Sequence, residues 1–211
     1  MLEIGRVIKM REFVYYSKNA RTSGNFDITN LMKAGRMDIA CQMIIMAFFI
    51  SHHTREDVKL HLIFDGGPDP PKHIEMFPGK NFMSEEKTKI DISKKDVAGL
   101  IKKMLYKYQK GIKKEIAPGY FIEKKGFVNV LKELKEQGKE ICILDKKGED
   151  IRQVKELNEC VFVIGDQDGF PKKEIKRLKN FGIKKIGVGN QTYFASQTLT
   201  IIQNELDRRN L

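Results

Sequence analysis

Two sets of residues in this sequence have types and spacings that could do chemistry. The first is a trio of small, polar, glycine-bearing turns: Asp145-Lys146-Lys147-Gly148, Gly165-Asp166-Gln167-Asp168-Gly169 and Gly189-Asn190-Gln191-Thr192. Each follows a short apolar run, Ile141-Cys142-Ile143-Leu144, Val161-Phe162-Val163-Ile164 and Lys185-Ile186-Gly187-Val188 respectively. Glycine lets backbone amides and carbonyls approach a ligand closely, and open α/β sheets bind ligands outside the carboxyl ends of their strands. One small-molecule pocket lined by the three turns is therefore expected. Neither G-x-G-x-x-G nor G-x-x-x-x-G-K-[ST] occurs, so neither usual nucleotide fingerprint is met.

The second set is acidic, with one arginine. Arg36 and Asp38 stand two apart at the head of an apolar segment, Asp65 follows an apolar run, and Asp69 and Asp166 stand behind them. A placed carboxylate can take a proton from a weakly acidic N–H, and an arginine can grip a phosphate or steady a developing anion. Asp38 also suits a helix cap, with Arg36 as its partner; from the residues alone both readings stand. His52, His53, His61 and His73 show no metal-ligand spacing, so they read as polar surface or core residues and no metal is expected. Cys41, Cys142 and Cys160 lie in or beside apolar runs without a C-x-x-C pair and read as buried reduced thiols.

The elements that must position these residues are legible in outline. Uninterrupted apolar runs bounded by turn residues predict strands buried on both faces, hence a mostly parallel sheet. Strands are predicted at 11–17, 58–64, 73–77 and 120–122, the middle two joined by the stiff Asp65–Pro71 loop as a hairpin or as sheet neighbours. A helix over 37–51, apolar on nearly every side, must be covered twice, and a second subunit would supply the second cover. Ser93 and Asp96 make a capping box for a helix running to about Lys110, and Phe127–Glu136 and Ala195–Arg209 are further amphipathic helices. In the last of these, Ala195, Leu199, Ile202 and Leu206 share one face, with Gln203 elsewhere. Residues 77–92 read as a polar loop.

Composition bounds the partners. A chain of 211 residues with 41% hydrophobic content can bury one core. A net charge of +11 and a pI of about 9.4 suit a polyanion, and many lysines (Lys94, Lys95, Lys102, Lys103, Lys107, Lys110) gather in one region. No run reaches membrane-spanning length and no leader is apparent, so a cytoplasmic protein without membrane contact is expected.

The order of motifs is specific. Met10-Arg11-Glu12-Phe13, Gly35-Arg36-Met37-Asp38, Ala47-Phe48-Phe49-Ile50-Ser51-His52, Asp65-Gly66-Gly67-Pro68-Asp69-Pro70-Pro71, Pro118-Gly119 and Val161-Phe162-Val163-Ile164-Gly165-Asp166 together resemble the TrmY family, the archaeal tRNA pseudouridine N1-methyltransferases and their bacterial homologues. That family belongs to the SPOUT, or α/β-knot, class. The resemblance implies a single SPOUT domain whose C-terminal segment, about 138–209, forms a trefoil knot, acting as a homodimer on tRNA. It implies S-adenosylmethionine as cofactor and N1 of pseudouridine at position 54, the first of the T-loop, as target. It places Leu144, Gly165, Val188, Gly189, Asn190, Gln191, Thr192, Tyr193 and Thr198 at cofactor-contacting positions, and it favours Arg36 and Asp38 because Gly-Arg-x-Asp is a family motif. Two departures bear on substrate and rate: Gly189-Asn190-Gln191 stands where the family often reads Ser-Pro-Leu, and Thr198 where it often has cysteine. The resemblance begins at Met10, leaving residues 1–9 as an extension or a mis-chosen start. Related chemistries are rRNA pseudouridine N1-methylation and 2′-O-ribose methylation; a non-enzymatic RNA-binding homologue is the third rival.

Overall fold

The structure, a computed structural model, describes residues 10–79, 93–178 and 181–211. The extension over 1–9 and nearly all of the polar loop over 77–92 lie outside the described residues. In chain order the elements are β1 (Arg11–Ser17), a 3₁₀ turn (Leu31–Ala34), α1 (Met37–Phe48), β2 (Phe49–Ile50), β3 (His53–Thr54), β4 (Val58–Phe64), β5 (Lys72–Met76), α2 (Lys94–Tyr106), β6 (Lys114–Ala117), β7 (Tyr120–Glu123), α3 (Phe127–Glu136), β8 (Glu140–Asp150), β9 (Cys160–Gly165), α4 (Lys172–Leu178), β10 (Lys184–Gly187) and α5 (Ala195–Arg208).

Eight strands form one sheet in the order β10-β8-β9-β1-β4-β5-β7-β6. Pairing is parallel from β10 to β4 and antiparallel from β4 to β6. The expected mostly parallel sheet is present, and its parallel strands are the ones with continuous apolar runs: Cys160 to Ile164 is buried throughout. β4 and β5 are antiparallel neighbours joined by Asp65–Pro71, a loop held by the buried Lys72 ammonium. That group donates to Asp69 Oδ2 at 2.7 Å and lies 4.1 Å from the centre of the Tyr108 ring.

Side-chain alternation splits the core between the two faces of the sheet. Phe13, Tyr15, Leu60, Leu62, Phe162 and Ile164 point to a cluster covered by α1, α2 and α5. Val14, Tyr16, Ile63, Val161 and Val163 point the other way, onto Phe127, Val130, Leu131 and Leu134 of α3 and Leu178 of α4. Burying such side chains stabilises by roughly 1.5–3 kcal/mol each, so α3 docks on its stripe alone. α2 starts with the expected capping box, Ser93 Oγ accepting from the Asp96 N–H.

Three expectations are corrected. α1 does not need a second subunit for most of its cover, because the sheet, α2 and α5 of the same chain supply it; only Met46 among its apolar residues is exposed. It ends at Phe48, since Phe49 turns extended (φ −106°, ψ 136°) to pair with Thr54. Gln203 of α5 is buried, donating to the Ala47 carbonyl at 2.9 Å and accepting from Arg11 Nη1 at 3.1 Å.

The region from Asp145 to Gly148 also differs. It is not a turn that ends a strand, because β8 resumes beyond it. Cys142 and Ile143 pair with Lys184 and Lys185, and Glu149 and Asp150 then pair with Ile186 and Gly187. Residues 144–148 therefore loop out while β10 runs on without a break. A Cβ at Gly148 would fall 2.5 Å from the Ile186 nitrogen and 2.6 Å from the Lys185 carbonyl carbon. Backbone meets backbone there, which only glycine permits. Gly148→Ala is predicted to lower stability by about 1–3 kcal/mol through overpacking, read as a shift of the denaturant midpoint. Gly99→Ala, whose Cβ would meet nothing within 4 Å, should not lower it.

Candidate active site

The carboxyl ends of β1, β4 and β9 meet at one junction. Asp166, buried just past β9, accepts from Ser17 Oγ at 2.9 Å, from the Lys18 N–H at 2.9 Å and from the Asp168 N–H at 2.9 Å. A buried carboxylate is tolerable only when hydrogen-bonded, and these donors provide that. The Asp166 N–H donates to the Tyr16 carbonyl, and the Asp65 N–H to the Ser17 carbonyl. Gly35 and Gly66 press on the same stretch: a Cβ at either would fall 1.7 or 2.3 Å from the Asn19 oxygen. Thr22 Oγ1 donates to the Gly66 carbonyl and accepts from the Asp69 N–H.

This packing gathers Arg36, Asp38, Asp65, Gly165 and Asp166 around residues 17–22. Arg36 takes a left-handed backbone (φ 64°, ψ 37°) straight after Gly35 (φ 71°). For a residue with a side chain that conformation costs about 1–2 kcal/mol, and such strain concentrates at functional sites. Its guanidinium binds both oxygens of Asp38, Nε to Oδ1 at 3.0 Å and Nη2 to Oδ2 at 3.1 Å. The Asp38 side chain does not cap α1 by a hydrogen bond; it sits in the first turn, where the helix dipole favours a negative charge. Burial pushes the Tyr15 phenol up, and the charges of Asp166 and Asp38 push it further, so this fully buried ring stays protonated beside them.

Asp65 is exposed and accepts from Tyr16 Oη at 3.0 Å. Burial, then the Asp65 charge, pushes the Tyr16 phenol up, which keeps it a donor. The pair borders a groove of about 840 Å³ between α3 and α4, walled by Phe127, Pro171 and Phe181 and edged by Lys132 and Arg177. Its cations suit a phosphate-bearing ligand.

The other expected residues lie elsewhere. Leu144 and Val188 are half-buried against the cluster under α1 and α5. Gly189 has φ 127°, Asn190, Gln191, Thr192 and Tyr193 are exposed, and Thr198 is buried in the first turn of α5. None of them lines the groove, and neither does Gly165; of the expected site residues only Asp65 does. Reading the sequence missed Tyr16, Ser17, Lys132 and Arg177. The two strand-end residues could have been found from their place beside the first strand's carboxyl end, whereas the two cations reach the groove only through the docking of α3 and α4.

Comparison with known proteins gives a consistent picture. A family model described as SAM-dependent RNA methyltransferase matches residues 10–211. The tRNA (pseudouridine(54)-N(1))-methyltransferase of Methanococcoides burtonii is 35% identical over 201 residues, 94% of this chain and 96% of that protein. The enzyme of the same name from Methanococcus aeolicus is 33% identical, covering 96% of this chain and all of that one. Archaeoglobus fulgidus Nep1, solved with S-adenosylhomocysteine, superposes with a TM-score of 0.60 at 13% identity, over 95% of this chain and 99% of Nep1; that likeness shows the fold.

Ser17→Ala is predicted to remove a hydrogen bond to the buried Asp166 carboxylate and to cost about 1.5–3 kcal/mol. Equilibrium urea unfolding measures this, and Ser17→Thr should recover part of it.

Proposed function

The chain belongs to the SAM-dependent RNA methyltransferase family, and from that membership we propose that it transfers a methyl group from S-adenosylmethionine to N1 of pseudouridine 54 in tRNA. The observation that carries the reading is the match, over 94–96% of the chain, to enzymes named for that reaction. The strand-end junction supports it, holding an arginine–aspartate pair and a tyrosine-bound aspartate in one place.

The residues fit the cofactor. Gly165 leaves little room for a side chain, since a Cβ would stand 3.2 Å from Gly169 and 3.4 Å from Phe170. At Gly189 a Cβ would meet nothing within 4 Å, so that backbone is open to approach. Leu144 and Val188 offer half-buried apolar surface, and Gly189 to Tyr193 offer accessible amides and carbonyls. We assign cofactor binding to Leu144, Gly165, Val188 to Tyr193 and Thr198. When bound, S-adenosylmethionine supplies an electrophilic methyl group on a sulfonium.

What remains for the chain is to place the base, exclude water and remove the N1 proton. Both Asp38 oxygens are engaged by Arg36, which suits that pair to gripping the nucleotide. Asp65 is exposed and has one oxygen committed to Tyr16, so in this reading Asp65 accepts the proton. The exposed lysines Lys94, Lys95 and Lys103 of α2 and Lys107 just past its end have no ion pair among the described residues and would track the T-arm phosphates. A homodimer and a trefoil knot belong to the same proposal. The exposed Tyr193 and Phe194, 40% and 75% accessible, suit contact with a second copy, and the tight passage of β10 past Gly148 suits a threaded tail.

Mass spectrometry of tRNA nucleosides, with and without the gene, tests the reaction: loss of 1-methylpseudouridine is expected. Transfer in vitro to a small-subunit rRNA fragment but not to a tRNA T-arm would overturn the substrate. Asp65→Asn is predicted to lower kcat by about 10²–10⁴-fold with S-adenosylmethionine affinity intact by calorimetry. Gly165→Val is predicted to abolish that affinity while the far-UV spectrum is unchanged, because its methyls would drive Gly169 and Phe170 outward; Gly165→Ala should keep most of it.

A further inference from the structure

On the α3 side of the sheet, strand pairing joins residues that are far apart in the chain. Glu12 of β1, His61 of β4, His73 and Glu75 of β5 and Glu123 of β7 form one polar row, with Glu12 and the histidines buried and Glu75 and Glu123 half-buried. His61 lies opposite Glu75, and His73 lies opposite both Ile63 and Glu123. His61 Nε2 stands 2.9 Å from Glu12 Oε1, His61 Nδ1 is 2.9 Å from His73 Nε2, and His73 Nδ1 is 3.0 Å from Glu123 Oε1. Both imidazoles are 3% exposed.

Counting protons makes this row informative. Each of these contacts is a hydrogen-bond distance and calls for one hydrogen, yet a neutral imidazole carries a single N–H. Two histidines therefore cannot serve all three contacts. The carboxylates at the ends are flanked by ammonium groups, Lys59 and Lys139 within 4 Å of Glu12, and Lys125 at 2.8 Å from Glu123. One pair of tautomers gives each histidine's N–H to the outer carboxylate. In those tautomers the two ring nitrogens that face each other carry no hydrogen, and the ring planes are 15° apart. A third oxygen, Glu75 Oε2, lies 3.8 Å from His61 Nδ1, and the three ligand atoms lie within 4.8 Å of one another.

We propose that His61 Nδ1, His73 Nε2 and a Glu75 carboxylate oxygen bind one first-row dication of the zinc type, with Glu12 and Glu123 as the outer hydrogen-bond partners of the two imidazoles. With metal–nitrogen bonds of about 2.0–2.1 Å, tetrahedral ligand atoms stand about 3.4 Å apart, and the observed 2.9 and 3.8 Å bracket that spacing. Ligating histidines commonly give their second N–H to a carboxylate, which sets tautomer and ring orientation; here both do. Lys113, which holds Glu75 Oε2 at 2.9 Å and lies over the Phe121 ring, is 40% exposed and would turn toward solvent as the cation takes that oxygen. The ion would clasp β4 to β5 where the parallel part of the sheet meets the antiparallel part. This role is structural and independent of methyl transfer.

The test uses the full chain, stripped with a chelator, dialysed and titrated with zinc against a chromophoric competitor. One equivalent per chain should bind and raise the thermal midpoint, and cobalt should give the visible absorption of a low-symmetry nitrogen and oxygen site. His73→Gln should abolish the binding, and Glu75→Gln or Glu12→Gln should weaken it about 10–100-fold. The double variant His52→Gln/His53→Gln should leave it unchanged. Glu75 lies partly at the surface, so its variant folds even where the His73 variant does not. No stoichiometric binding, with a nitrogen NMR signal of imidazolium in the metal-free chain, would overturn the assignment in favour of a trapped proton. Zinc binding undiminished in both His73→Gln and Glu75→Gln would overturn it too, by pointing to the cysteines instead.

Discussion

The buried Asp166 carboxylate is the constraint on which the rest depends. It ties the end of β9 to the end of β1 through Ser17 and Lys18 and shapes its own turn through the Asp168 amide. A charge in that position without donors would cost several kcal/mol, so the loop after β1 cannot drift from the turn after β9. Gly35 and Gly66 then lie against Asn19 at distances no Cβ would allow. Through them the head of α1 and the loop after β4 are set against the same stretch. The functional side chains are therefore held by backbone contacts to a rigid sheet, which suits chemistry that relies on placement.

The other end of the parallel sheet meets a different demand. β10 pairs with β8 on both sides of a looped-out segment, and Gly148 lets the two backbones pass. Leu144 and Val188 emerge on either side of this passage, against the cluster that also seats Leu199 and Ile202 of α5. Looping-out, passage and terminal helix are one packing unit. A change at Gly148 would act on the candidate cofactor turns as well as on stability.

Electrostatics divides the molecule similarly. The excess positive charge is spread over α2 and over the edges of the α3–α4 groove, where it stays solvated and available to a polyanion. Inside, the buried Lys72 ammonium is held by Asp69 and lies over the Tyr108 ring. The row from Glu12 to Glu123 instead sets three carboxylates around two buried imidazoles.

By itself the sequence determined the α/β class, the two-faced strands, the amphipathic faces of α2, α3 and α5, and the capping box at Ser93. These follow from local periodicity and local hydrogen bonding, which adjacent residues carry within themselves. It also placed Arg36, Asp38, Asp65 and Gly165 among the candidates, through motif order. Only the tertiary structure decided that Asp65 is held by Tyr16 beside a basic groove. Only it decided that Asp145 to Gly148 is an interruption within a strand, and that His61 meets His73. These depend on which strands become neighbours and in what register, and register is set by the burial of whole faces against helices from distant parts of the chain.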